Sequence, residues 1–449
     1  MTSSSHKGND GHRASSLTRL SAVTVLTGVG AGIAGMALAL LLHAVQHVAY
    51  GYSPHQLMGP ESFFDGVRAA SPVRRVAVLV VCGMVAGCGW YLLYRFARPL
   101  VSIEKAIASD RPRLPALATT IHVMLQIVTV ALGSPLGREV APRELSAAYA
   151  GWLAERTRLT VEESRVMVAC AAGAALAAVY NAPLGGAIFA LEVLLRTFGL
   201  RALLPAVATS GVAVGVAWSG LGNDPTYAVP KYTLDASLIV WSIVSGPLIG
   251  ITAYGFRTLT NRARARAPHD WQLLVLSPIN FAVIGVLAIP FPQLLGNGRA
   301  PAQLGFSGEL SIALAAVLLA LRIAITAGSL RAGASGGRLT PNLSNGALLA
   351  IVVGGLWSMV WPSAPLGAFA IIGATAFVAV AMDMPITAII LTMEFTWIDL
   401  NYLVPILFAV TGALAADRLC CPLGPTGTPP DKGYSDCFTH IRPAGTPEP

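Results

Sequence analysis

One short stretch carries residues able to do chemistry in apolar surroundings: Gly133-Ser134-Pro135-Leu136-Gly137-Arg138-Glu139-Val140-Ala141-Pro142. A charged side chain at membrane depth costs about 3 kcal/mol on insertion scales, so an ionisable residue there usually marks a pathway. Glycine and proline break a helix, and a broken helix in a bilayer lines a cavity or is buried in protein. The helix that restarts after the break turns its first N–H groups and its positive dipole end toward that cavity. The residue types alone give an anion site with a titratable carboxylate, Glu139, beside it. A carboxylate can sit in such a site as a tethered anion and leave it when protonated. Two like charges about 4 Å apart repel by about 4 kcal/mol at an effective dielectric near 20. That is about 3 pKa units, so anion entry and protonation of Glu139 are expected to be coupled. The plainer alternative is that Glu139 pairs with Arg138 so that both are tolerated, although adjacent helical residues do not face each other.

The elements that position this stretch are membrane helices. The chain has 449 residues, 54% hydrophobic and 12% charged, against about 25% charged in soluble proteins. The alternating strands of a membrane barrel are not found, which leaves an all-α polytopic fold. The six cysteines, Cys82, Cys88, Cys170, Cys420, Cys421 and Cys437, have no metal-site spacing and read as apolar fillers and free thiols. His43 and His47 share a helix face but have no third ligand. No metal or cofactor is expected.

The net charge of +8 falls in clusters: Lys7, Arg13 and Arg19; Arg98, Lys105, Arg111 and Arg113; Arg257, Arg262, Arg264 and Arg266; and Arg418. Basic flanks of this kind set topology and do not call for nucleic acid. All four clusters are placed in the cytoplasm, which puts both termini there, in the plasma (inner) membrane. Arg68, Arg74 and Arg75 break the rule on the outer side. The stretch from Met1 to Ser16 is polar and unlike a signal peptide, so the first span reads as a retained anchor.

Spans are expected near 20–50, 75–96, 115–132, 203–218, 234–254, 273–289, 310–327 and 401–416. Two segments match at an offset near 200. Asn181-Ala-Pro-Leu-Gly-Gly-Ala-Ile-Phe-Ala-Leu-Glu192 parallels Asp383-Met-Pro-Ile-Thr-Ala-Ile-Ile-Leu-Thr-Met-Glu394, and Gly137-Arg138 parallels Gly337-Arg338. Helix breaks in corresponding places of two halves point to a midplane binding site. The organisation expected is a disordered tail (1–16), a first membrane repeat (17–220), a second (221–417) and an irregular tail (418–449). Asn181 and Asp383, each just before a break proline region, read as caps of the helices that follow.

These segments resemble the ClC family of chloride channels and proton-coupled anion transporters. Leu136-Gly137-Arg138-Glu139 resembles its G-R-E-G-P motif, residues 171–192 its segment around N-A-P-L-x-G, Gly336-Gly337-Arg338-Leu339-Thr340-Pro341 its G-x-F-x-P motif, and residues 373–394 the segment ending in P-L-T-x-I-x-L-x-x-E. The match spans roughly 20–420. The resemblance implies an inverted repeat with broken helices and a homodimer in the lipid bilayer with one anion pathway per subunit. It implies Glu139 as gate, and a pathway along Gly137, Arg138, Val140, Gly337, Arg338, Leu339 and Thr340. It leaves no room in the tail for the regulatory domains of eukaryotic members.

The departures are specific. Val140-Ala141 replaces the Gly-Pro after the glutamate. Ala97-Arg98-Pro99-Leu100-Val101 stands where the family has G-S-G-I-P, so Arg98 takes the place of the anion-binding serine. The inner proton-relay glutamate aligns with Val193, one residue after Glu192. Tyr434 is the nearest candidate for the late pore tyrosine. Val193 cannot take a proton, which favours passive conduction or a different proton route. For Arg138 and Arg338 two readings stand, positive potential along the path or anchoring of helix ends. For Glu192 and Glu394 packing and proton transfer both stand.

The function expected is anion transport, chloride by default, as channel or H+/anion exchanger, with fluoride or another anion as the narrower variant. A symporter of another solute would want more acidic residues inside the spans. No His-Glu-x-x-His, Gly-x-Ser-x-Gly or Gly-x-x-x-x-Gly-Lys-Ser/Thr pattern occurs, so no enzyme is signalled.

Overall fold

The apolar runs begin and end where side chains can satisfy free backbone groups. In this computed structural model, residues 5–51, 62–361 and 364–420 are described. The first half holds α1 (Ser5–Tyr50), α2 (Phe63–Ala69), α3 (Pro72–Phe96), α4 (Ile103–Ala108), α5 (Ala116–Ala131), α6 (Val140–Arg156), α7 (Val161–Tyr180), α8 (Pro183–Phe189) and α9 (Leu200–Leu221). A π-helical turn, Ala190–Leu195, continues α8. The second half holds α10 (Ala236–Ala265), α11 (Leu273–Leu287), α12 (Arg299–Phe306), α13 (Ile312–Arg331), α14 (Leu339–Ser358), α15 (Leu366–Ala381), α16 (Pro385–Thr396) and α17 (Leu403–Cys420). Ser71, Ser102, Thr160, Asp235 and Ser311 each accept the N–H three residues on and so cap α3, α4, α7, α10 and α13. Such a cap contributes about 1 kcal/mol.

Among the described residues, eight helices are long and apolar enough to cross a membrane. The halves repeat one packing scheme. Helix α1 packs on α9 as α10 packs on α17, and α6 packs on α7 as α14 packs on α15. Helices α3 and α11 meet across the halves, as do α8 and α16. The centre is formed by α7, buried throughout 167–180, and α15, buried throughout 367–381. Both are apolar on every face, which suits a helix with no solvent or lipid side.

The repeat extends to backbone conformations that no residue-type comparison reveals. Gly133 and Gly333 follow α5 and α13 at φ +110° and +88°, where a side chain would be strained. Asn181 and Asp383 sit at φ 53° and 54°, and Arg196 and Trp397 at 52° and 46°. The cap assignment for Asn181 and Asp383 is therefore corrected. They close the preceding helices in the left-handed region that Asn and Asp tolerate, and neither side chain caps the helix that follows.

Other boundaries shift for physical reasons. Helix α6 starts at Val140, two residues before Pro142, because the first turn needs no N–H from its third residue. Pro341 takes the same third place in α14. Helix α10 runs to Ala265 and carries Arg257, Arg262 and Arg264 on its last turns, not in a loop. Helix α1 begins at Ser5, inside the polar stretch expected to lack regular structure; its spanning part is Thr18–Tyr50. Arg74 and Arg75, the outliers to the charge rule, are carbonyl anchors. Arg74 donates to Ala49 and Val48, and Arg75 to Ala70, Arg68, Ala288 and Ile289.

Candidate functional site

The starts of α6 and α14 meet head to head. The Gly137 N–H donates to the Gly337 carbonyl at 2.7 Å and the Gly337 N–H returns a bond to Gly137 at 2.8 Å, in antiparallel sense. Two segments paired this way are related by a local two-fold. A Cβ on either glycine would run into the Glu139 carboxylate, so the absence of both side chains makes its seat.

Glu139 is the residue just before α6 and is 1% exposed. Its Oε1 accepts the Leu339 N–H, the first of α14, at 2.6 Å. The carboxylate thus lies on the positive end of the other half's helix. Its Oε2 is 3.4 Å from the Tyr180 hydroxyl, which also bonds Thr340 Oγ1 at 3.0 Å. The pairing of Glu139 with Arg138 does not occur; the Arg138 guanidinium lies over the Tyr180 ring, 5.3 Å from its centroid. Gly137, Arg138, Glu139, Val140, Gly337, Leu339 and Thr340 are therefore gathered at one place.

Arg338 belongs to the same turn but points elsewhere. It is 6% exposed, and its Nη1 donates to Thr260 Oγ1 at 2.9 Å and Asn261 Oδ1 at 2.8 Å on α10. The two arginines differ in their contacts, Arg338 being tied to side chains of α10 and Arg138 lying on Tyr180, whose hydroxyl meets the carboxylate.

Glu192 and Glu394 lie away from this point and perform one exchanged task. Glu192 accepts the N–H groups of Ile386 and Thr387, at 3.0 and 2.7 Å, and the Thr387 hydroxyl, at the start of α16. Glu394 accepts those of Leu184 and Gly185, at 2.9 and 2.7 Å, at the start of α8. Each half caps a broken helix of the other. Val193 lies within the π-helical turn and packs against the core. Arg98 is exposed, and the nearby serine that does cap a helix is Ser102, which accepts the Lys105 N–H. Tyr434 lies outside the described residues.

Two residues escaped the sequence reading. Tyr180 was legible only as the last residue before a helix break. Arg322 is a charge inside the span expected near 310–327 and lies 200 residues after His122. It is fully buried, beside Gly298 and Ser344, and its guanidinium nitrogens have no hydrogen-bond partner among the described residues. Arg138, Arg299 and Arg322 all act electrostatically on Tyr227, whose ring lies near Phe395, itself against Tyr180.

A bundle of inverted halves, with a carboxylate seated on the start of a broken helix and arginines acting on the neighbouring Tyr180 and Tyr227, defines a helical membrane protein built to handle anions. The chain belongs to the voltage-gated chloride channel family, whose description it matches over residues 82–418, and so to the proteins that carry anions across membranes. It is 26% identical over 361 residues to the H(+)/Cl(-) exchange transporter ClcA of Vibrio parahaemolyticus, covering 77% of each chain. It is 28% identical over 317 residues to the voltage-gated ClC-type chloride channel ClcB of Citrobacter koseri, covering 68% of this chain and 74% of that one. Its fold matches the crystal structure of a slow cyanobacterial Cl-/H+ antiporter with a TM-score of 0.75 at 19% identity, over 89% of this chain and 95% of the other.

Proposed function

We propose that the chain moves chloride through a pathway at the Gly137–Gly337 junction, with Glu139 as the gate. One observation carries this. A carboxylate, itself an anion, occupies a built anion seat made of the Leu339 N–H, the start of α14 and the Tyr180 hydroxyl, with two glycines leaving room for it. An anion of the pathway takes that seat when Glu139 is protonated and swings away. A charge-assisted hydrogen bond to such a group contributes about 1.5–3 kcal/mol, enough to hold an anion and weak enough to release it. Gly137, Arg138, Val140, Gly337, Leu339 and Thr340 line the pathway around the seat, and Arg338 holds its frame. The cations Arg138, Arg299 and Arg322 raise the positive potential on the side of Tyr227.

The protein acts as a homodimer in the lipid bilayer of the plasma (inner) membrane, with both termini in the cytoplasm. Exposed apolar side chains, among them Leu184, Leu204, Ile386 and Leu407, suit a chain set in lipid. The basic groups on α10 and on 98–113 support the orientation.

The test is flux from liposomes carrying the purified protein, with chloride, fluoride and proton movement measured together. Chloride efflux that responds to pH is expected. Fluoride efflux without chloride efflux would replace the chloride assignment, and no anion flux from a folded dimer would sink the proposal. Chloride movement opposed by protons identifies an exchanger, and chloride movement alone a channel.

A further inference from the structure

Proton coupling needs a group that can carry protons between Glu139 and the basic face, and the expected positions do not supply one. Val193 does not titrate, and Glu192 and Glu394 hold the first N–H groups of α16 and α8. Another carboxylate stands on the same helix as the gate, on the face turned to α5. Helix α6 runs from Glu139 to the basic face, where Glu155 pairs with Arg113 at 2.7 Å. Glu144 lies on this helix five residues after Glu139, about 7.5 Å along its axis.

The surroundings of Glu144 are those of a held but accessible carboxylate. Its side chain is 16% exposed. Gln126 Nε2 on α5 donates to Glu144 Oε2 at 3.0 Å, and His122 Nε2 is 3.8 Å from the same oxygen. Trp90 Nε1 donates to His122 Nδ1 at 3.0 Å. An indole N–H is a donor only, so Nδ1 is an acceptor and the ring proton of the neutral imidazole sits on Nε2, facing Glu144. The N–H side of His122 thus faces the carboxylate, at a distance longer than a hydrogen bond. The charges acting on Glu144 are Arg143 on its own helix, Arg264 on α10 and Glu104 on α4. Gln126 is 1% exposed, and its Oε1 has no hydrogen-bond partner among the described residues, which leaves a buried acceptor free beside Glu144. On the basic side, a crevice of about 30 Å³ is lined by Tyr94, Arg264, His269 and Ser335, enough for about one water.

The geometry points to Glu144 as the group that passes protons between the basic face and Glu139, in place of a carboxylate at Val193; this rests on the anion-transport reading above. In each cycle an O–H bond forms on Glu144 as a hydronium ion at the basic face gives up a proton and is left as water. That bond breaks as the proton passes to Glu139, which leaves the anion seat and releases the proton on the far side while an anion moves the other way.

The experiment uses the full chain in liposomes, with chloride and proton fluxes read together under a chloride gradient. Wild type is expected to move both. Glu144→Gln keeps the size of the side chain and is expected to keep chloride efflux while proton movement falls about 100-fold, the order that a positioned proton-transfer group contributes. Glu144→Asp is expected to restore part of the proton movement, which a purely structural role would not do. Glu162→Gln, at an exposed carboxylate on α7, serves as the control and should leave both fluxes in place. Proton movement at the wild-type ratio to chloride in Glu144→Gln overturns the assignment. So does chloride efflux without proton movement in wild type, which leaves the anion reading intact. Absence of all anion flux from folded protein overturns both. Should Glu144→Gln not fold, an unchanged proton rate in Glu144→Asp overturns the assignment instead.

Discussion

At Gly137 and Gly337 the two halves exchange backbone hydrogen bonds as equals, and one residue later they diverge. In the first half Arg138 lies over Tyr180 and Glu139 reaches across to the other half. In the second half Arg338 turns back to α10, and Leu339 offers only its N–H. The frame is therefore two-fold symmetric while the chemistry is one-sided. One half supplies the carboxylate and the other the helix end that receives it. A seat with a carboxylate from each half would place two like charges in one site, which is costly. By contrast, Glu192 and Glu394 keep the exchange of backbone caps, with Glu192 accepting the Thr387 hydroxyl as well. The duplication is preserved where it holds helices and broken where it handles charge.

The largest expected effect tests the one-sidedness. Glu139→Gln removes the titrating group, and proton movement should fall about 100-fold or more, with chloride efflux losing its dependence on pH. Retained pH dependence in the liposome assay would move the gate away from this residue. The arginines come next. Arg338→Gln leaves Thr260 and Asn261 without their charged donor and should destabilise the fold by about 2–3 kcal/mol. Arg138→Gln loses a cation–π contact of about 1 kcal/mol and should reduce anion flux instead. Thermal unfolding in detergent beside flux separates the two; equal losses of stability would erase the contrast.

The paired glycines provide a symmetric probe of an asymmetric site. Alanine at 137 or at 337 puts a methyl group into the space of the Glu139 carboxylate. Each should cost about 2 kcal/mol, the usual scale of overpacking, and each should favour the displaced gate, seen as chloride efflux less inhibited at high pH. A change in only one of them would show that the seat is not shared. The smallest effect is expected at the symmetric caps. Glu192→Gln and Glu394→Gln should each lower stability by about 1 kcal/mol, by nearly the same amount, and leave proton coupling in place. Loss of coupling in Glu192→Gln alone would return that residue to the proton route.

Much of this organisation was legible in the chain because it depends on residue type and spacing. A glutamate and an arginine between helix breakers, repeated breaks about 200 residues apart and basic flanks all follow from the cost of charge and of unpaired backbone in a bilayer. What was not legible depends on partners distant in sequence. Tyr180 reads as one aromatic at a helix end until the fold brings it to Glu139, 41 residues away. Arg138 and Arg338 are indistinguishable by type, and only α10 beside one and Tyr180 beside the other divides them. Asn181 and Asp383 look like caps of the next helix because their residue types suit both ends; the backbone dihedral decides.

By itself the sequence determined that the protein is a helical membrane protein with duplicated breaks and a carboxylate placed where only function would keep it. Hydrophobicity, breakers and charge are local properties, and the bilayer makes each of them decisive. The tertiary structure decided which helix start receives Glu139, which arginine stacks on Tyr180, and that Glu192 and Glu394 cap each other's half. It also decided that Glu144 meets His122 and Gln126 of α5. Those facts depend on the inverted docking of the two halves, and no property of either half alone specifies it.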